Sequence, residues 1–233
     1  MRFELIALDA DDTLWHNEIY YRRGREIFTR VMAKHDMPIP DDARLHEIEL
    51  SNLEFYGYGA VGFAVSLVEA AIEMTGGQIP SEDLLTLLNV SKMIIAAEVE
   101  LFEGVEEALQ RLSSSHQLML ITKGNELHQA TKVERSGLLP YLNDVEIVAN
   151  KTPDIYRAIL ERTGTPPERF IMVGNAMRSD ILPVLAIGGS AVYIHNELTW
   201  IHENSRAAGL PTDRFFEIDK ILDLPDLIYA LEG

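Results

Sequence analysis

Phe3-Glu4-Leu5-Ile6-Ala7-Leu8-Asp9-Ala10-Asp11-Asp12-Thr13 is the stretch that decides the fold. Phe3 to Leu8 is apolar but for Glu4, short and followed at once by a polar cluster, which predicts a buried strand ending at Asp9. Asp9 and Asp11 stand at alternating positions, so they project the same general way if the chain stays extended. Like charges that close repel, and the pair therefore needs a cation or a proton. Asp12 reads as a turn or helix-capping residue.

Downstream, the character changes from Asn17 to about Glu100. Ile19, Tyr20, Ile27, Val31 and Met32 recur at roughly helical spacing among charges. Asp41 and Asp42 are candidate caps for a second helix through Leu45, Ile48 and Leu53, which Gly57 and Gly59 interrupt. Gly62 to Met74 predicts a third helix on the stripe Phe63, Leu67, Val68, Ile72. Gly76-Gly77 breaks the chain, and Pro80-Ser81-Glu82-Asp83 opens a fourth helix with Ser81 as the expected N-cap. No convincing strand interrupts this region, so it reads as an all-helical insert. From Leu101 the pattern alternates. Strands are predicted at Gln117 to Thr122, Val145 to Ala149, Phe170 to Gly174 and Ser190 to Ile194. Helices are predicted at Glu106 to Leu112, Glu126 to Ser136, Asp154 to Thr163 and Ile181 to Ile187. Such alternation implies βαβ units and a parallel sheet covered on both faces.

Composition narrows the partners. The chain has 233 residues, 37 acidic and 20 basic, a net charge of −17. That balance disfavours nucleic-acid polymers and anionic membrane surfaces, which recruit Lys and Arg. The absence of cysteine excludes disulfides, thiolate metal sites and Cys nucleophiles. Met1-Arg2-Phe3-Glu4-Leu5 carries no signal-peptide pattern, and no apolar run approaches a membrane span. The expected location is cytoplasmic. Oligomeric state is not legible.

In open α/β sheets the ligand lies at the carboxyl ends of the strands. There the sequence places Asp9 and Asp11, then Thr122-Lys123-Gly124-Asn125, then Lys151, then Gly174-Asn175-Ala176-Met177-Arg178-Ser179-Asp180. Hard oxygens around one small site suit Mg²⁺, which takes few protein carboxylates and keeps room for substrate phosphate. Lys151 adds a fixed positive charge and Thr122 a hydroxyl. Backbone amides around Lys123 and Gly124 are expected to cradle anionic oxygens. Together these groups make a phosphoryl-transfer site without a P-loop. Arg178 is either a second cation near the substrate or a solvated loop residue paired with Asp180. Trp15, Tyr56, Tyr58 and Phe63 gather around Gly57 and Gly59, either as packing of the insert or as a substrate-facing loop. Tyr58 is carried as the candidate contact. His195, Trp200 and His202 lack a third ligand and read as packing or hydrogen-bonding groups.

The ordered set resembles the haloacid dehalogenase-like hydrolase superfamily. Its first motif is matched by Asp9, Asp11 and Thr13, its second by Thr122, its third by Lys151, and its fourth in part by Gly174, Asn175 and Asp180. Phe102-Glu103-Gly104-Val105 looks like the family's return to the core after a cap. The resemblance implies a Rossmann-like α/β core of residues 1–15 and 100–233, with a helical type 1 cap at 16–99. It implies Mg²⁺-dependent hydrolysis of a small phosphorylated metabolite through an aspartyl-phosphate. Asp9 would be the nucleophile and Asp11 the acid and base, its carbonyl also facing the metal. Thr122 and Lys151 would hold the phosphoryl group. Asp9 and Asp11 are expected metal ligands together with Asn175 and Asp180, Asn175 standing where the family usually has Asp; the sequence leaves open which of Asn175 and Asp180 touches the metal directly. The second Asp separates phosphatases from metal-independent dehalogenases, which lack it. A non-catalytic phospho-acceptor with a weakened metal site is the further alternative.

Overall fold

The computed structural model describes residues 2–35, 42–200, 203 and 209–233. Asp41 and His202 lie outside them. The chain divides into two compact units, residues 1–18 with 99–233, and residues 19–98.

The first unit is built on six parallel strands: β1 (Leu5–Leu8), β2 (Gln117–Lys123), β3 (Asp144–Val148), β4 (Phe170–Gly174), β5 (Ser190–Ile194) and β6 (Phe215–Ile218). Their order across the sheet is β3-β2-β1-β4-β5-β6. The order reverses beside β1, so the crevice at its carboxyl end is the topological switch point. The helices of this unit are α5 (Val105–Ser113), α6 (Glu126–Ser136), α7 (Pro153–Thr163), α8 (Leu182–Ala186) and α9 (Leu224–Glu232).

Alternation across the strands explains why the sheet is covered on both faces. Ile6 and Leu8, Leu118 and Leu120, Ile171 and Val173 pack with Val105, Leu109, Leu112 and Ile228 in one core. The intervening Leu5 and Ala7, Met119 and Ile121, Phe170 and Met172 pack with Tyr156, Ile159, Leu160 and Val184 in another. A strand with both faces buried carries no polar alternation, and these read as continuous apolar runs. The register sets Leu8 opposite both Leu120 and Val173. Asp9, Thr122 and Asn175 thus emerge at neighbouring levels of one sheet edge.

Local chemistry sets the helix ends. Asn125 Oδ1 accepts the His128 N–H at 3.1 Å to start α6, and Gly137 stops it in the left-handed region. Thr152 caps α7 by accepting the Ile155 N–H, with Pro153 as its first residue.

The second unit holds α2 (Asp42–Tyr56), α3 (Ala60–Met74), α4 (Ser81–Ile95) and nearly all of α1 (Glu18–Ala33). Phe28, Val31, Met32, Leu45, Ile48, Phe63, Leu67, Leu87 and Val90 form its own core. Gly24 lets α1 approach closely, since a Cβ there would sit 2.7 Å from the Phe63 ring and 2.8 Å from Val90 Cγ1. Ser81 is not the N-cap expected from sequence. It is the first helical residue, Pro80 holds the cap position, and no side chain bonds to the open N–H groups. Trp15 is the second correction. It belongs to the α/β core rather than to the aromatic group around Gly57, because its indole N–H is drawn to Asp11. The final strand β6 and helix α9 were not anticipated. No described helix is long and apolar enough to cross a membrane.

Candidate active site

Asp9 leaves the end of β1 with its own N–H bonded to the Val173 carbonyl at 2.8 Å. Its carboxylate is held on both sides. Oδ1 accepts from Lys151 Nζ at 2.5 Å, and Oδ2 accepts from the Thr13 hydroxyl at 2.9 Å. Lys151 lies beyond the end of β3 and is almost wholly buried. Its ammonium also donates to Asp180 Oδ1 at 2.7 Å. Burial alone would lower the Lys151 pKa, but Asp180 and Asp9 outweigh it and push it up to about 12. One buried ammonium thus faces two carboxylates.

Asp180 has no solvent exposure. Its Oδ2 accepts the Ala176 N–H at 3.0 Å, so both oxygens are engaged within the protein. Burial pushes its carboxyl up, to about 7, against the pull of Lys151. Asp180 sits on a π-helical turn, Met177–Ile181. Tyr156 braces that turn from α7 by donating to the Ser179 carbonyl at 3.1 Å. Gly174 is required here, because any Cβ at that position would overlap the Asp180 carboxylate.

Asn175 follows β4. Its backbone N–H donates to Thr13 Oγ1, and its side-chain Oδ1 lies 3.1 Å from the same hydroxyl. Thr13 has one proton to give and two acceptors, Asp9 Oδ2 and Asn175 Oδ1. Whichever accepts it, the other keeps its lone pairs available. These two hard oxygens, one charged and one neutral, converge beside Thr13. Among the described residues no three His, Asp or Glu side chains gather into a metal cage.

Asp11 carries a second cluster that sequence reasoning did not foresee. Lys132 Nζ donates to both its oxygens at 2.6 and 2.7 Å, Trp15 Nε1 to Oδ1 at 2.7 Å, and Gln129 Nε2 to Oδ2 at 3.1 Å. Gln129 also donates to Thr122 Oγ1 at 2.6 Å. Gln129 and Lys132 are three residues apart on α6, the helix that follows β2, and so share one face. That spacing puts both side chains on one face of the helix directly after the Thr122 strand, but does not say which way the face turns. Burial acts to raise the Asp11 carboxyl, but the charge and hydrogen bonds of Lys132, with those of Trp15 and Gln129, hold it below its ordinary value.

This has a consequence for stability. A carboxyl depressed in the fold contributes stability that is present above its unfolded pKa of about 3.9 and is lost as pH falls through its folded value. Lys132→Met removes the cause. The stability gap between wild type and variant should be widest near neutrality and narrow as pH falls from the variant's Asp11 value, which burial then raises, toward the wild type's depressed one, as read by urea denaturation across pH. A gap independent of pH would contradict the assignment.

Other expected contacts are placed differently. The Gly124 N–H donates to the Val148 carbonyl at 3.2 Å, so this amide is not open to cradle an anion. The Lys123 ammonium is paired with Glu203 and donates to Ser179 Oγ at 2.8 Å. Arg178 is exposed on the π-helical turn, and Asp180 pairs with Lys151 instead. Tyr58 belongs to the helical unit, in the turn between α2 and α3. His195 lies 3.3 Å from Glu217 and packs edge-on against Tyr193. Asp12 accepts the N–H groups of Asn17 and Glu18, a capping role as expected.

Residues 3–188 match the family described as haloacid dehalogenase-like hydrolase. A glyceraldehyde 3-phosphate phosphatase from Methanothermobacter thermautotrophicus is 34% identical over 206 residues, covering 83% of this chain and 86% of that protein. An N-acylneuraminate-9-phosphatase from Homo sapiens is 23% identical, covering 99% and 96%. The crystal structure of a haloacid dehalogenase-like family hydrolase from Xanthomonas campestris superposes with a TM-score of 0.86 at 33% identity, covering 99% of this chain and 96% of that one.

Proposed function

The chain is a phosphatase of the haloacid dehalogenase-like hydrolase family, and from that premise we propose that it hydrolyses a small phosphomonoester with Mg²⁺ through an aspartyl-phosphate on Asp9. The observation that carries this reading is the Asp9 carboxylate, held at the switch point between the Lys151 ammonium and the Thr13 hydroxyl. A carboxylate so fixed has lost the freedom that a nucleophile must otherwise give up on the way to the transition state.

An Asp9 oxygen attacks phosphorus and the bond to the leaving alkoxide breaks. The leaving oxygen takes a proton from Asp11. Water then attacks the phosphorus of the acyl phosphate, gives a proton back to Asp11, and releases phosphate with Asp9 regenerated. In the resting arrangement Lys132 favours the ionised form of Asp11, which suits the second half-reaction. Lys151 balances the anionic charge that spreads over the transferring group. The Thr122 hydroxyl, accepting from Gln129, keeps its own proton for a phosphoryl oxygen.

The chemistry of the donors fits Mg²⁺. Asp9 and Asp180 bring two carboxyl groups to the single ammonium of Lys151, and a cation would ease their opposition. Asp9 Oδ2 and Asn175 Oδ1 are hard oxygens of the kind this ion takes. We assign them as ligands, with the Asp11 carbonyl. Asp180, with both oxygens engaged, anchors Lys151. Mg²⁺ when bound would neutralise charge on the phosphoryl oxygens. Residues 19–98 are proposed as a cap that excludes bulk water during transfer. The names of the two relatives suggest a small phosphorylated metabolite, a sugar phosphate or a triose phosphate.

A panel of such phosphates, with an aryl phosphate as control, tests the reading. Phosphate release that requires Mg²⁺ and stops with chelator is expected. No turnover across the panel would overturn it.

A further inference from the structure

We propose that Thr199 is a positioning residue that keeps the amide oxygen of Asn175 turned toward Asp9. The inference rests on the reading of Asn175 as a metal ligand. A carboxylate has two equivalent oxygens and works in either orientation. An amide has one oxygen and one NH₂, so an acceptor for the nitrogen on the far side fixes the oxygen in the orientation that can ligate. Asn175 Nδ2 donates to Thr199 Oγ1 at 3.0 Å, while Oδ1 lies on the Thr13 side.

Thr199 is itself held in place. Its N–H donates to the Asn196 carbonyl at 3.1 Å. Asn196 Oδ1 accepts the Leu198 N–H at 2.8 Å, a local turn that fixes the loop. Asn196 Nδ2 donates to the Asp12 carbonyl at 2.8 Å, tying the loop to the end of β1. Further on, Glu203 accepts from Lys123 and from Ser179 Oγ at 2.7 Å. Asn196 and Glu203 are therefore fastened to the loop that follows β1, to the end of β2 and to the turn that follows β4. Family members with Asp at this position would have no need of such an acceptor.

A double-mutant cycle isolates the effect, read by Mg²⁺-induced thermal stabilisation of the full chain. Thr199→Val should weaken Mg²⁺ binding about 10- to 100-fold, the usual cost of losing a residue that orients a ligand. Thr199→Ser keeps the hydroxyl and should retain affinity. In an Asn175→Asp background the same Thr199→Val change should bring no comparable loss, because a carboxylate needs no orienting acceptor. Thr199→Ala carries the same expectation if the valine variant fails to fold. An equal loss in both backgrounds, or none in either, would overturn the proposal while leaving the metal reading intact. Absence of any Mg²⁺ effect on the wild type would overturn the metal reading first, and this inference with it.

Discussion

Asp9→Asn should abolish turnover while leaving the fold intact. The substitution is nearly isosteric, and it leaves Lys151 facing Asp180 alone, one charge against one. Nothing in the core is disturbed, since Asp9 sits at the end of β1 rather than within it. What is lost is the nucleophilic oxygen, for which an amide is no substitute. Removing a covalent nucleophile lowers kcat by at least about 10⁴-fold in enzymes where the residue acts as part of a unit. Steady-state assay of phosphate release, with unfolding measured in parallel, checks both halves of the expectation. Substantial activity in a folded Asp9→Asn protein would move the nucleophile elsewhere.

Lys151→Met should be the most destabilising change in the site. The ammonium is buried between Asp9 and Asp180, and its removal leaves two carboxylates facing each other without a cation. Breaking a buried pair by deleting one partner typically costs about 3–5 kcal/mol. The pH dependence has a definite sign. Burial and the charge of Asp9 already push the Asp180 carboxyl up, against the pull of Lys151. Without Lys151 the folded protein holds a proton on Asp180 that the unfolded chain does not. The variant should therefore be most stable at acid pH and lose stability as pH rises. Urea denaturation at several pH values measures this. Adding Asp180→Asn to Lys151→Met should recover part of the loss, since it removes one of the two opposed charges. A deficit that stays constant with pH would mean that packing, not charge, governs the site.

The fold and the site were legible in the sequence to different depths. The central strands were plain because both their faces are buried, so Phe170–Gly174 and Ala191–Ile194 stand out as short runs without charge. The bounds of α6 were plain because Asn125 and Gly137 punctuate it chemically. Strand β6 was not, for it is four residues long, only partly buried, and follows a polar stretch without period. Ser81 was misplaced by one position because Pro80 can hold the cap without any side-chain bond.

In the site, the charged residues at strand ends could be found because topology alone brings such positions together. Their partners could not. Gln129 and Lys132 reach Asp11 from a helix face, and Thr199 and Glu203 arrive in a loop after β5. No periodicity announces that a helix face or a loop will turn toward an active site. Trp15 shows the same limit from the other side. Its neighbours in composition were the aromatics of the insert, but a hydrogen bond to Asp11 assigns it to the core. The net charge of −17 also takes on a sharper meaning. Asp9, Asp11 and Asp180 draw three of those charges into one site, where two lysines already answer them.

The most direct test is to look for the phosphoryl group on Asp9 itself. Wild-type protein is mixed with Mg²⁺ and an excess of a substrate identified by the panel, quenched in acid within one turnover, and digested for mass spectrometry. The account predicts a peptide containing Asp9 heavier by one phosphoryl group, appearing and decaying at rates that match turnover. Full turnover with no phosphorylated Asp9, or with the group on another residue, would contradict it.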